Sequence, residues 1–175
     1  MSAWTVIAHT EVGSGGTGSI LFSSIPATYD DLVVVLSTRT SNTAIAEVIN
    51  ILFNGSSANI SARLLYGIGS TVTSGTSTSN AAFTNGNDTT ASTHGSAMIY
   101  FPNYKGSTNK SFSSDSVSEN NATTAYQLIL AGLWSQTAAI TSLEFDPGSS
   151  ANFAQYSSAT LYGVTKGSSG GVTVS

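Results

Sequence analysis

The chain has 175 residues, of which 40% are hydrophobic and only 8% charged, and nine acidic against five basic side chains give a net charge of −4. Five basic residues provide no positive patch for a phosphate backbone, so we expect neither nucleic acid nor a membrane surface as a partner. Cysteine is absent, which excludes disulfides, thiolate catalysis and cysteine metal sites. This hydrophobicity with little net charge predicts a folded chain.

Alternation of apolar and polar residues between Gly, Pro and Asn-Gly signals predicts strands along most of the chain. Residues 42–51 also fit one face of a helix, but their Val and Ile content favours a strand. The last two segments are joined by a turn-forming stretch, 146–150, and we expect them to pair with each other. The ten predicted strands are 4–12, 19–25, 32–40, 48–53, 60–68, 97–104, 110–117, 125–134, 139–145 and 158–164.

Eight to ten short strands with regular turn signals predict an all-β fold, a single-domain antiparallel β-sandwich of jelly-roll type over residues 1–166. Segments 32–40 and 125–134 are apolar at both odd and even positions, whereas a strand buried on one face alternates more cleanly. These strands therefore need cover on both faces. We expect that cover to come from a second sheet and the long loop, or from neighbouring subunits.

Residues 69–94 are dominated by Ser, Thr, Gly and Asn, and this composition predicts a long mobile loop. Residues 167–175 are predicted to be a flexible Gly/Ser tail. Phe83 is an isolated aromatic residue in the polar loop, which predicts an anchor that contacts a partner. We expect deletion of 69–94 to leave the fold intact and to weaken partner binding.

Two features, a glycine-rich loop and the histidines, resemble parts of functional sites. Residues 13–18 match the GxGxxG spacing of dinucleotide-binding loops, but a strand follows where that fingerprint needs a helix, which favours a flexible hairpin loop. His9 and His94 are the only histidines, and no GxSxG motif accompanies them, so we interpret both as structural.

Two carboxylate groupings are candidates for acid/base pairs or cation ligands. Asp30 and Asp31 stand where aspartate commonly forms a turn, and Glu144 and Asp146 share a parity, with Asp146 opening the turn 146–148. Neither grouping resembles the oxygen-dense loop of a calcium site. The sequence therefore predicts no catalytic, metal-binding or cofactor-binding residues and a non-enzymatic protein.

Six short motifs are specific as a set, although none is specific alone. The motifs are Ile25-Pro26-Ala27-Thr28-Tyr29, Phe53-Asn54-Gly55, Leu133-Trp134, Thr137-Ala138-Ala139-Ile140-Thr141-Ser142, Asn152-Phe153 and Leu161-Tyr162-Gly163-Val164. In this combination, over residues 20–164, the chain resembles a family of small virion proteins of tailed bacteriophages.

The resemblance implies a β-sandwich or jelly-roll module that decorates (cements) a capsid or belongs to a tail or fibre. It also implies a homotrimer without catalytic residues. We therefore expect a decoration protein that binds the major capsid protein on the capsid exterior of the virion and stabilises the shell. The first residues lack the basic and apolar regions of a secretory signal, which favours assembly in the host cytoplasm.

The alternative is a tail-fibre or receptor-binding module that recognises host-surface glycans through exposed aromatic and hydroxyl groups. A glycan-cleaving enzyme is a third class, for which no acid/base pair is evident in the sequence.

Overall fold

The computed structural model describes residues 3–121 and 124–166, and in this part of the chain all regular structure is β-strand. The predicted all-β sandwich is confirmed. The twelve strands are β1 (Ala3–Glu11), β2 (Ile20–Phe22), β3 (Asp31–Thr38), β4 (Ala46–Phe53), β5 (Ile60–Ile68), β6 (Thr71–Ser77), β7 (Asn80–Asn85), β8 (Gly95–Phe101), β9 (Lys110–Ser118), β10 (Tyr126–Trp134), β11 (Leu143–Pro147) and β12 (Ser158–Thr165).

Eight of these strands form a jelly roll. The large sheet begins with the order β1-β12-β3-β8, and the small sheet has the order β2-β11-β4-β7. Strands that follow each other along the chain within this set of eight therefore lie in different sheets. The four pairs are β1 and β2, β3 and β4, β7 and β8, and β11 and β12. This alternation between two antiparallel sheets is the arrangement of a jelly roll.

Two inserted hairpins widen the large sheet. The hairpin β5-β6 lies between β4 and β7 in sequence, and the hairpin β9-β10 lies between β8 and β11. Both add to the large sheet beyond β8, in the order β8-β9-β10-β5-β6, so that this sheet has eight strands against four in the small one. The insertions give the large sheet an outer face about twice as broad as that of a four-stranded sheet.

The core lies between the sheets and contains a cluster of aromatic rings. Phe53 on β4 stacks on Trp134 of β10, with ring centroids 5.0 Å apart, and meets the edge of Phe101 at 5.9 Å. Phe112 on β9 packs against both Phe53 and Phe101. Residues from both sheets thus interdigitate, and burial of these rings is a major stabilising term.

The segment 69–94 differs from its prediction, because it contains β6 and β7 rather than one mobile loop. β6 is an edge strand of the large sheet, and β7 is an edge strand of the small sheet. β6 is open to solvent along most of its length and needs no apolar alternation. β7 buries small side chains, Ala81, Ala82 and Thr84, so neither strand has the apolar signature of a core strand.

Two predicted local pairings are also wrong. β11 and β12 lie in opposite sheets, since β11 pairs with β2 and β4 while β12 pairs with β1 and β3. The loop 13–18 joins β1 of the large sheet to β2 of the small sheet, so it is not the loop of a hairpin. Proximity in sequence favours a hairpin, but the jelly roll moves the chain between sheets at these points. Residues 46–53 form β4, which confirms a strand rather than a helix there.

Candidate interaction surface

The solvent-facing side of the large sheet, which we call the outer face, is rich in uncovered apolar side chains. Ile129, for example, is 56% exposed although it lies in the middle of a central strand. Exposed apolar patches of this extent on soluble proteins mark interaction sites. The large apolar or aromatic side chains exposed on the outer face are Trp4, Val6, Leu65, Val72, Met98, Tyr100, Val117, Ile129 and Leu133.

Strand register brings these side chains into continuous rows. One row crosses five strands as Val35, Met98, Asp115, Ile129 and Leu65, each directly opposite the next. Side chains opposite each other on neighbouring strands have Cβ atoms about 5 Å apart. The exposed apolar residues, scattered in the sequence, therefore form one surface.

Two opposite charges lie within this apolar surface. Arg63 projects from β5 and Asp115 from β9, with β10 between them. Two strand spacings and a two-residue offset separate their Cα atoms by roughly 12 Å. Within residues 3–121 and 124–166, neither side chain forms an ion pair or a hydrogen bond with another group of the chain.

One end of the sandwich, formed by loops 12–19, 39–45, 86–94 and 148–157, is organised by a buried arginine. The Arg39 guanidinium donates hydrogen bonds to the Thr89 hydroxyl at 2.7 Å and to the carbonyl oxygens of Thr90 at 2.8 Å and Asn87 at 2.9 Å. It also reaches the Thr93 carbonyl oxygen at 3.1 Å. A single cation thus fixes the whole segment before β8, and we call this the Arg39 end.

The opposite end, formed by loops 23–30, 54–59, 102–109 and 135–142, contains a buried lysine and is called the Lys110 end. The Lys110 ammonium donates to the carbonyl oxygens of Gly106 at 2.6 Å, of Thr108, and of Thr137 at 3.4 Å. Burial lowers the pKa of Lys110. At both ends, carbonyl oxygens rather than carboxylates satisfy the buried cation.

Of the predicted carboxylates, Asp31 is buried and has three partners. It accepts hydrogen bonds from the Tyr100 hydroxyl at 2.7 Å and the Asn103 N–H at 2.8 Å, and it pairs with Lys166 at 3.2 Å. Burial alone would raise the pKa of Asp31, but these three partners hold it below its ordinary value. Burial and the Asp31 carboxylate raise the pKa of Tyr100 to about 12. Asp30 instead pairs with Lys105 at 3.5 Å.

The other predicted site residues lie apart from these acids. Glu144 and Asp146 share one face of β11, where Asp146 accepts a hydrogen bond from the Asn50 amide at 3.0 Å. His9 lies on β1, and His94 precedes β8. The described residues contain no cluster of three His, Cys, Asp or Glu side chains that could hold a metal ion.

Phe83 is placed differently from its prediction, because it lies on β7 and is half-buried. Its ring meets Tyr66 and Tyr126 edge-on, with centroid distances of 5.6 and 6.1 Å, and its N–H donates to the Ser116 hydroxyl at 2.9 Å. Most of the ring therefore seals the gap between β7 and the widened part of the large sheet. Contact of Phe83 with a partner stays a prediction.

A different aromatic residue, Tyr156, is prominent at the Arg39 end. Its side chain is 65% exposed, and its backbone has φ of 68°, in the left-handed region. The Tyr156 N–H donates a hydrogen bond to the Val12 carbonyl oxygen, and the Ala154 N–H donates one to the Arg39 carbonyl oxygen. These two hydrogen bonds hold the backbone in this conformation. The left-handed conformation costs a bulky residue roughly 1–2 kcal/mol, and such strain concentrates at functional sites. The sequence gives no signal for this conformation.

The motifs that carry the family resemblance mainly stabilise the fold. The Asn54 side-chain oxygen accepts hydrogen bonds from the N–H groups of Thr141 and Ser142, at 2.8 and 3.1 Å, and so joins two motifs. The Tyr29 ring occupies the space where Gly163 lacks a side chain, which joins two others. These four motifs specify how segments meet at the Lys110 end.

Comparison with known proteins finds no family model, no curated protein and no solved structure that matches the chain. In the part of the chain that the structure describes, no helix is long and apolar enough to cross a membrane.

Proposed function

We propose that the chain is a non-enzymatic structural protein of a bacteriophage virion, a capsid decoration or cement protein. It binds the major capsid protein on the outside of the shell and stabilises the shell. The observation that carries this proposal is the broad apolar outer face on a framework whose two ends are held by buried cations. The motif set described above supports the virion setting.

The outer face is the subunit interface of a homotrimer. Eight strands at about 4.8 Å spacing and about seven residues in height give a projected area of roughly 900 Å². A stable protein interface buries about 800 Å² on each partner, so the outer face is large enough. Association of copies through this face would cover the apolar rows that a monomer leaves in water.

The Arg39 end is the capsid-binding end. Its loops are held in place by the Arg39 hydrogen bonds and present the exposed Tyr156. Loops that are already ordered lose little conformational freedom on binding, and exposed aromatic anchors contribute much of the affinity at interfaces.

The mechanism is adhesive. A trimer that binds where capsid subunits meet has its full binding site only in the assembled shell. A protein that binds the assembled shell but not the separate capsid subunits shifts the assembly equilibrium toward the shell by mass action. Decorated shells should therefore resist heat better than undecorated shells. Folding in the host cytoplasm suits this chain, because it contains no cysteine and needs no disulfide.

A tail-fibre or receptor-binding module is the second candidate, and one observation favours it. Trp4 and Tyr162 lie side by side on the outer face, with ring centroids 5.5 Å apart, and Val33 and Tyr100 continue the row from Tyr162. Adjacent aromatic rings on an open sheet are suited to stacking against sugar rings.

The copy number in purified virions separates these candidates. Quantitative mass spectrometry should give a copy number of the same order as that of the major capsid protein, as expected for a protein that covers the shell. A copy number that is a small fraction of it would contradict the decoration role and favour a tail or fibre position.

A further inference from the structure

We infer that the outer face is covered by further copies of this chain, and that Arg63 of one copy pairs with Asp115 of the next across an axis that passes over β10. This inference rests on the self-association proposed above and names the contacts that would direct it.

Electrostatics favour a second copy of the chain as the occupant of the outer face. Arg63 and Asp115 stand among exposed apolar side chains and have no partner within the described chain. Covering the outer face with an apolar partner would bury both charges unpaired, at a cost of several kcal/mol each. A second copy presents the same arginine and the same aspartate, so it alone supplies both missing charges without requiring another protein.

The strand register places the two charges on opposite sides of β10. Arg63 lies on one side of β10 and Asp115 on the other, and the midpoint between them falls on β10 between Ile129 and Ala131. A symmetry axis over this point brings the β5 side of one copy to the β9 side of the next. Ile129 and Leu133 would then lie near the axis and pack against their own symmetry mates. Both a two-fold dimer and a three-fold trimer can form these contacts between copies.

Charge reversal tests the pair on the free protein, independently of any capsid. We expect Arg63→Asp and Asp115→Arg each to weaken self-association by about tenfold or more, because each change places like charges in contact. The double variant Arg63→Asp with Asp115→Arg restores opposite charges in every contact and should recover the wild-type mass. Sedimentation or light scattering gives the mass, and circular dichroism checks folding. Asp88→Arg, the same charge change on an exposed residue of the loop before β8, is the control and should keep the wild-type mass.

Mixing the single variants distinguishes the symmetries. The Arg63→Asp face carries two negative charges, and the Asp115→Arg face carries two positive charges. In a two-fold dimer, one copy of each satisfies every contact, so the equimolar mixture should recover fully. A three-fold ring must contain one contact between like variants, so the proposed trimer predicts rescue by the double variant but incomplete rescue by the mixture.

A monomeric wild-type protein at the highest concentration reached would overturn the inference, as would reversal variants that associate normally or a double variant that stays dissociated. Because no capsid is present, these outcomes leave shell binding to be tested on its own. Loss of shell binding by a correctly assembled trimer would instead count against the proposed function.

Discussion

At the scale of single residues, the structure depends on positions where a side chain would not fit or where a polar group has one defined partner. Gly163 lies under the Tyr29 ring, and Gly132 lies under the Phe112 ring. Asp31 joins the start of β3 to Tyr100 and Asn103. These contacts connect segments far apart in sequence, so each single position fixes the relation of two elements.

Gly163→Ala should destabilise the fold by about 1–3 kcal/mol, because the new methyl group would overlap the Tyr29 ring in a packed region. Urea unfolding at neutral pH measures the change. Gly13→Ala is the matched control, since nothing lies within 4 Å of the added carbon, and it should stay near wild type. Equal unfolding midpoints for the two variants would show that the Tyr29–Gly163 contact does not constrain the fold.

The stability of the protein should fall at alkaline pH through Tyr100. Its pKa is raised from 10.0 to about 12 by burial and by Asp31, so the folded state disfavours its ionisation. Its contribution to stability is therefore complete below about pH 10 and is lost as the pH rises through about 12.

Tyr100→Phe should flatten the decline of the unfolding free energy between pH 10 and pH 12. Part of the decline should remain, because burial also raises the pKa of Tyr104. Tyr156→Phe, which removes a hydroxyl from an exposed side chain, is the matched control for the loss of a hydroxyl. A Tyr100→Phe profile that matches wild type throughout this range would refute the raised pKa of Tyr100.

At the scale of elements, each end of the sandwich depends on a buried cation bound by carbonyl oxygens, and each sheet depends on an edge strand from the segment 69–94. Arg39 fixes the loop before β8, and Lys110 fixes the loop before β9. The link between β6 and β7 takes the chain from one sheet to the other, which closes that side of the core.

Arg39→Ala should cost at least about 3 kcal/mol, because the loss of the guanidinium leaves several carbonyl oxygens and a buried hydroxyl without donors. Arg39→Lys should recover only part of the lost stability, since one ammonium cannot reproduce the planar set of donors of the guanidinium. Thermal unfolding ranks the variants. Lys105→Met, at a half-exposed ion pair with Asp30, should change stability by about 0.5 kcal/mol or less. An Arg39→Ala variant as stable as this control would contradict the role of Arg39.

Deletion of 69–94 should prevent folding, contrary to the expectation from sequence. The deletion removes both edge strands, the buried Ala81 and Ala82, and the carbonyl oxygens that bind Arg39. Circular dichroism and amide NMR dispersion test this. A dispersed spectrum with cooperative unfolding would show that β6 and β7 are dispensable.

The sequence was sufficient for the strands whose alternation is set by burial on one face. β5 is an example, since Ile60, Ala62 and Leu64 are buried and alternate with exposed residues. It was insufficient for β6, which buries no side chain, and for the assignment of β11 and β12 to different sheets, which depends on partners distant in the chain. The candidate surface was predicted only as apolar strand faces needing cover. The placement of Arg63 and Asp115 on either side of β10 follows from the register, which no local pattern encodes.

At the scale of the whole molecule, a jelly roll widened by two hairpins combines a broad apolar face with two rigid ends. The proposed division of roles follows from this shape, with the outer face used between copies and the Arg39 end used on the capsid. Few charges and many hydroxyl groups on the surface suit a protein that binds through shape and apolar contact rather than through charge.

The most direct test is a titration of the purified protein onto purified shells that lack it, followed by measurement of the temperature at which the shells disassemble. We predict saturable binding and a higher disassembly temperature, with clearly weaker binding by Tyr156→Ala, which truncates the exposed anchor without touching the outer face. The absence of shell binding, together with attachment to host cells or their polysaccharide, would contradict the decoration role and favour a receptor-binding module.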